Sequence, residues 1–227
     1  MNLIKWSIYA YLVKFFTFFL VFELFLGLKG VAIHPHGDTN SYFNPIIDFF
    51  QTGIYNSNYR MPGYGLLLGI FLSLGCSIKV CYFLIILTQH LLAGLSIGIL
   101  ITELKNSFPT SKIFLFAGIL LFFSPYFLYD FYLSTESVTT SILIFITYLG
   151  YKRKWPLLFG LLCIWAIFLK PILATVIPLA YVYLLSKKVK TLFFILAIMP
   201  PFFIEGAWII TNYNKSGKLI LFTNQNF

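Results

Sequence analysis

The chain has 227 residues, of which 59% are hydrophobic and 10% charged, with a mean hydropathy of +0.88. A soluble domain carries roughly a quarter of its residues as charges, because its surface must be hydrated, so this composition excludes a water-soluble fold. The net charge of +9 does not indicate nucleic acid, because the basic residues fall in short clusters between apolar runs, a topological pattern.

In hydrocarbon the backbone must satisfy its own hydrogen bonds, and these apolar runs are too long for the alternating strands of a barrel. The predicted class is therefore all-α, a polytopic membrane protein forming one transmembrane domain over residues 1–227. The first run, 8–28, follows Lys5 and is too long for the core of a cleaved signal peptide, so it reads as a retained signal anchor. A polar loop from Lys29 to Met61 follows. The next apolar stretch, 62–76, reaches only about 20 Å as a helix, short of the ~30 Å hydrocarbon core, and is predicted to lie at the interface. Further runs occupy 79–103, 112–131, 134–150, 155–170, 171–186 and 191–210.

The clusters Lys105 with Lys112, Lys152-Arg153-Lys154, and Lys187-Lys188 with Lys190 belong, with Lys5, on the cytoplasmic side under the positive-inside rule. An even number of crossings must then separate each cluster from the next. This parity keeps 62–76 from spanning and divides 155–186 in two at Lys170-Pro171, where proline removes a donor and disfavours helix at the residue before it. About seven spans result, with the N-terminus cytoplasmic and the C-terminus outside. The expected location is the plasma (inner) membrane, with the active face extracytoplasmic.

That topology brings Asp38, Asp48, Asp130 and Glu136 to or near the outer side. Cys76, Cys81 and Cys163 are odd in number and lack metal-ligand spacing, so they read as small packing residues. His34-Pro35-His36-Gly37-Asp38 has the spacing of a hydrolase metal motif, but further histidine ligands are missing, since His90 lies inside a span. No metal and no cofactor are expected. Asp38 has two readings: a general base at the membrane surface, accepting a proton from a hydroxyl, or a turn or cap residue before a helix. Arg60 precedes the 62–76 stretch at headgroup height, where its planar fork suits a lipid phosphate and its length equally suits snorkelling. Glu136 opens a helix at the outer face, a position favoured by the helix dipole, with Ser134 or Thr135 as a cap. Lys170 is a cation at the outer break. Glu23, Lys14 and His90 are ionisable groups inside spans, and Gly94-x-x-x-Gly98 permits close helix contact.

Several features occur in one order: an aspartate in the first outer loop, then Arg60-Met61-Pro62-Gly63-Tyr64, an interfacial helix ending near Gly75, Thr135-Glu136, Lys170-Pro171, and Trp208-Ile209-Ile210-Thr211-Asn212-Tyr213. This order resembles the C-type membrane glycosyltransferases (GT-C), in particular the bacterial group related to protein O-mannosyltransferases and lipid A aminoarabinose transferases. The resemblance implies an enzyme that moves a sugar from a polyprenyl-phosphate donor to a hydroxyl of a glycan, lipid or protein, with inversion. It implies Asp38 as base, Glu136 as a second acidic residue, and Arg60, Tyr64, Lys170 and Asn212 on the donor and its phosphate. The chain departs from the family in having Thr39 where some relatives have a second acid. It also ends at Phe227, earlier than family members do, which implies truncation and a C-terminal partner chain. Two other readings stand beside it: a transporter or flippase of lipid-linked intermediates, and a non-catalytic remnant or assembly partner.

Overall fold

The structure, a computed structural model, describes residues 3–18, 38–53, 55, 60–110, 112–122, 124, 132–217, 219 and 221. His34, His36, Glu23, Tyr59 and Asp130 lie outside the described residues. Within them the regular elements are helical: α1 (Leu3–Phe18), α2 (Thr39–Thr52), α3 (Gly65–Ser73), α4 (Ile78–Ser107), α5 (Ile113–Phe122), α6 (Glu136–Lys152), α7 (Pro156–Leu169), a 3-10 turn (Pro171–Ala174), α8 (Ile177–Ser186) and α9 (Thr191–Ser216). The chain is all-α, as its composition predicts.

By length and apolarity, two of the described helices can cross a membrane, Ile78–Ser107 and Thr191–Asn214. The remaining apolar helices are shorter. α7 has 14 residues, about 21 Å, because proline ends it. α1 and α5 are described only as far as Phe18 and Phe122. α9 exposes Leu192, Phe202, Phe203 and Ile210 by 62–73%, a surface suited to hydrocarbon rather than water.

The chain divides into two compact units, Met1–Asn40 with Leu67–Ile144, and Ser41–Leu66 with Phe145–Phe227. In the first, α1 lies along α4. A side chain at Gly98 would run into the Ser7 hydroxyl and come within 2.7 Å of its backbone nitrogen, and one at Gly94 within 3.0 Å of the Tyr11 nitrogen. Small residues let helices approach this closely, and packing holds them there where lipid offers no hydrophobic drive. The pairs 7 with 98 and 11 with 94 describe an antiparallel register, which brings Lys14 to the level of His90 and Leu91. Lys14 is 2% exposed and His90 fully buried. Ala93, Ile97 and Ile101 form the core beneath Trp6, Ala10, Phe114 and Ile144.

In the second unit α7 and α9 run parallel. Gly160 meets the Ala197 carbonyl, and further along the same pair Phe168 meets Trp208 at a ring distance of 5.8 Å. α9 continues through Pro200 and Pro201. Pro201 has no N–H for the Ala197 carbonyl, and the Tyr181 hydroxyl donates to that oxygen instead, at 2.8 Å. Such substitute donors are what let proline sit within apolar helices. α7 stops at Leu169 because Lys170, preceding proline, is extended at φ −141 and ψ 103.

Candidate functional site

In the first unit, Asp38 is an exposed residue immediately before α2. Its neighbour Thr39 is fully buried and donates its hydroxyl hydrogen to the Leu133 carbonyl at 3.0 Å. Leu133 stands three residues before Glu136, the first residue of α6. One buried hydrogen bond between segments distant in sequence therefore brings both acidic candidates to the same end of this unit. The Thr135 carbonyl accepts the first helical bond of α6, from the Thr139 amide at 2.9 Å. Ser134 is not the cap that its position suggests: its hydroxyl is buried without a hydrogen-bond partner among the described residues.

In the second unit, Arg60 is held on several sides. Its Nε donates to the Ser41 hydroxyl at 3.1 Å, its guanidinium carbon lies 4.4 Å from the centre of the Tyr42 ring, and its carbonyl accepts from the Tyr55 hydroxyl at 2.9 Å. The side chain remains partly exposed. An arginine tethered through Nε and stacked on an aromatic has its guanidinium plane fixed, and that planar fork has the geometry that matches a phosphate. Cation–π contacts of this kind contribute about 0.5–2 kcal/mol.

The residues after Arg60 explain why it is held so firmly. Met61 is buried with Ile164 and Phe168, and Trp208 packs on them. A side chain at Gly63 would collide with the backbone of Phe168 and Leu169, and one at Gly65 would come within 2.8 Å of the Tyr42 carbonyl. Trp165 Nε1 donates to the Gly63 carbonyl at 2.8 Å. Glycine is thus required at both positions for close approach, to the end of α7 on one side and to α2 on the other. Tyr64 is completely buried, stacked on Phe43 at 5.3 Å and edge-on to Tyr42 at 5.5 Å. It reaches Arg60 through Tyr42.

Lys170 follows Leu169 at this same end of α7, partly exposed. Asn212 is one turn beyond Trp208 and spends one amide hydrogen on the Trp208 carbonyl at 2.8 Å. Asp38 and Glu136 thus belong to the first unit, and Arg60, Tyr64, Lys170 and Asn212 to the second.

One acidic residue escapes the sequence reading. Glu205 is the sole charged residue between Thr191 and Asn214, and both its carboxylate oxygens are enclosed without a hydrogen-bond partner among the described residues. The signal was present, since an ionisable group inside an apolar run is a functional candidate. Among the described residues no cluster of histidine, cysteine, aspartate and glutamate is arranged to hold a metal ion.

No family model, curated protein or solved structure matches this chain.

Proposed function

We propose that this chain is a membrane glycosyltransferase that moves a sugar from a polyprenyl-phosphate donor to an acceptor hydroxyl at the extracytoplasmic face. The proposal includes about seven spans, with Lys5 and the basic clusters cytoplasmic. The observation that carries it is the fixed guanidinium of Arg60, tethered to Ser41 and stacked on Tyr42. Asp38 takes the proton from the acceptor hydroxyl. The oxygen attacks the anomeric carbon, the sugar–phosphate bond breaks, and the polyprenyl phosphate leaves with its charge held by Arg60 and Lys170. The sugar–phosphate bond is already activated, so the protein supplies position, a base and charge stabilisation. Support for Asp38 and Glu136 as a pair comes from the Thr39–Leu133 bond.

The test is transfer in membranes containing the full chain together with any C-terminal partner. Labelled polyprenyl-phosphate hexoses serve as donors, and glycosylated product is measured by mass. Product that requires the chain and fails with Arg60→Ala supports the reading; lipid-linked sugar crossing the membrane unchanged would replace it with a transporter. That second reading has its own support in Lys14, buried at the level of His90 between α1 and α4, since buried cations in apolar helices commonly mark transport paths.

A further inference from the structure

α9 places two polar groups where neither finds a partner. The Glu205 carboxylate oxygens and, three residues on, the Trp208 indole Nε1 are enclosed and unbonded among the described residues. Positions three apart leave the same helix face. This face also carries Ala197, Pro201 and Asn212, and at Ala197 and Trp208 it meets α7. An unpartnered buried carboxylate or N–H is costly, and native structures rarely keep one without a reason.

The two groups differ in kind. An ionised carboxylate only accepts and an indole N–H only donates, so a group that both donates and accepts satisfies the two together, and a hydroxyl does so by giving its hydrogen to Glu205 and accepting from Trp208. The surrounding surface is aromatic: Phe168 lies 5.8 Å from the Trp208 ring and Tyr55 6.1 Å from it, edge-on. Such faces suit the C–H side of a sugar ring. Tyr55 also donates its hydroxyl hydrogen to the Arg60 carbonyl at 2.9 Å, so one residue joins this place to the proposed phosphate site. In a polyprenyl-phosphate sugar the ring is one bond from the phosphate. We infer that Glu205 and Trp208 form the subsite for a hydroxyl of the donor's sugar, selecting glycosylated over bare polyprenyl phosphate. The inference rests on the glycosyl-transfer reading.

The test uses the full chain in lipid nanodiscs and measures binding of polyprenyl-phosphate-glucose, polyprenyl-phosphate-mannose and bare polyprenyl phosphate. Wild type is expected to bind at least one glycosylated lipid more tightly than the bare one. Glu205→Met should weaken that binding roughly 10-fold or more, the size of one hydrogen bond to a charged group, and Trp208→Phe roughly 2- to 10-fold, the size of a neutral one, both leaving the bare lipid unaffected. Trp208→Phe keeps the packing on Phe168 and removes only the N–H, so it guards against a fold lost in the Glu205 variant. Equal binding of all three lipids by wild type, or an undiminished preference in Trp208→Phe and Glu205→Met, overturns the subsite while leaving Arg60 as a phosphate site. Failure of wild type to bind even the bare lipid overturns the glycosyl-transfer reading and the subsite together.

Discussion

The Tyr181 hydroxyl donates to the Ala197 carbonyl, 2.8 Å away, and that carbonyl is the one Pro201 leaves without its helical donor. A side chain on α8 thus completes a break in the hydrogen-bond ladder of α9. Tyr181→Phe should destabilise the chain by about 1–3 kcal/mol, the cost of an unpaired buried carbonyl. In the double variant with Pro201→Ala the loss should shrink, because the new amide satisfies the same oxygen. Unfolding in a mild detergent titrated with a denaturing one measures both, and a full, additive loss in the double variant would sever the link between the two residues.

Gly98 sets how near α1 comes to α4. Gly98→Leu should destabilise the α1–α4 pair by roughly 1–3 kcal/mol through overpacking against Ser7. Gly206→Ala, inside α9 at a position with nothing within 4 Å, should not destabilise and is expected to add about 0.5–1 kcal/mol through helix propensity. Cross-linking between cysteines introduced at Ile8 and Leu95 reports the separation, and unchanged cross-linking in Gly98→Leu would refute the close contact.

The platform beneath Arg60 should matter as well as its charge. Arg60→Ala is expected to weaken polyprenyl-phosphate binding about 10-fold or more, as the loss of a charge-assisted hydrogen bond implies. Tyr42→Leu, which keeps the arginine and removes the ring, should cost a smaller factor, in keeping with about 0.5–2 kcal/mol for the cation–π contact. Binding at matched salt tests this; identical affinity in all three proteins would reduce Arg60 to a snorkelling residue.

These residues divide by how they could be read from sequence. The stop at Lys170 is legible because proline acts on its immediate neighbour, and the Gly94–Gly98 contact because helical spacing puts both glycines on one face. The start of α8 at Ile177, rather than at Pro171, has a signal in Pro178, which sits in the first turn where proline is favoured, but Pro171 offers the same signal earlier in the chain and opens only a 3-10 turn. Gly63 and Gly65 look like ordinary turn glycines in sequence. Their requirement comes from the backbones of Phe168, Leu169 and Tyr42, which only the fold brings near. Glu205 is visible in sequence as a lone charge, but the enclosure of its carboxylate oxygens is a property of the fold.

Asp38 carries the chemical claim. Asp38→Asn keeps shape and polarity but cannot take up a proton, so transfer should fall by about 10²–10⁴ if the residue is the general base. Asparagine caps and turns about as well as aspartate, so a structural role predicts little change. The rate must be read beside expression level. Full transfer at normal abundance would remove Asp38 and leave Glu136 as the next candidate.

Orientation can be tested separately. With the native cysteines replaced, a cysteine at Ser57 should label in intact cells and one at Ser111 should not. The opposite pattern would invert the topology and place Asp38 and Arg60 on the wrong side for an extracytoplasmic reaction.

The Trp165–Gly63 hydrogen bond joins residues 102 positions apart. At a synthesis rate of about 5–20 residues per second, the segment bearing Arg60 emerges from the ribosome roughly 5–20 s before the tryptophan that secures it. Phe168 and Trp208, which hold Met61, come later still. Throughout that interval Met61 and Gly63 lack the α7 and α9 partners that pack on them in the finished protein. Synthesis order therefore divides the anchorage: Ser41, Tyr42 and Tyr55 precede Arg60, whereas the hold on Met61 and Gly63 is a late event of biogenesis, and a chain stalled before Trp165 would carry the arginine with its upstream contacts alone.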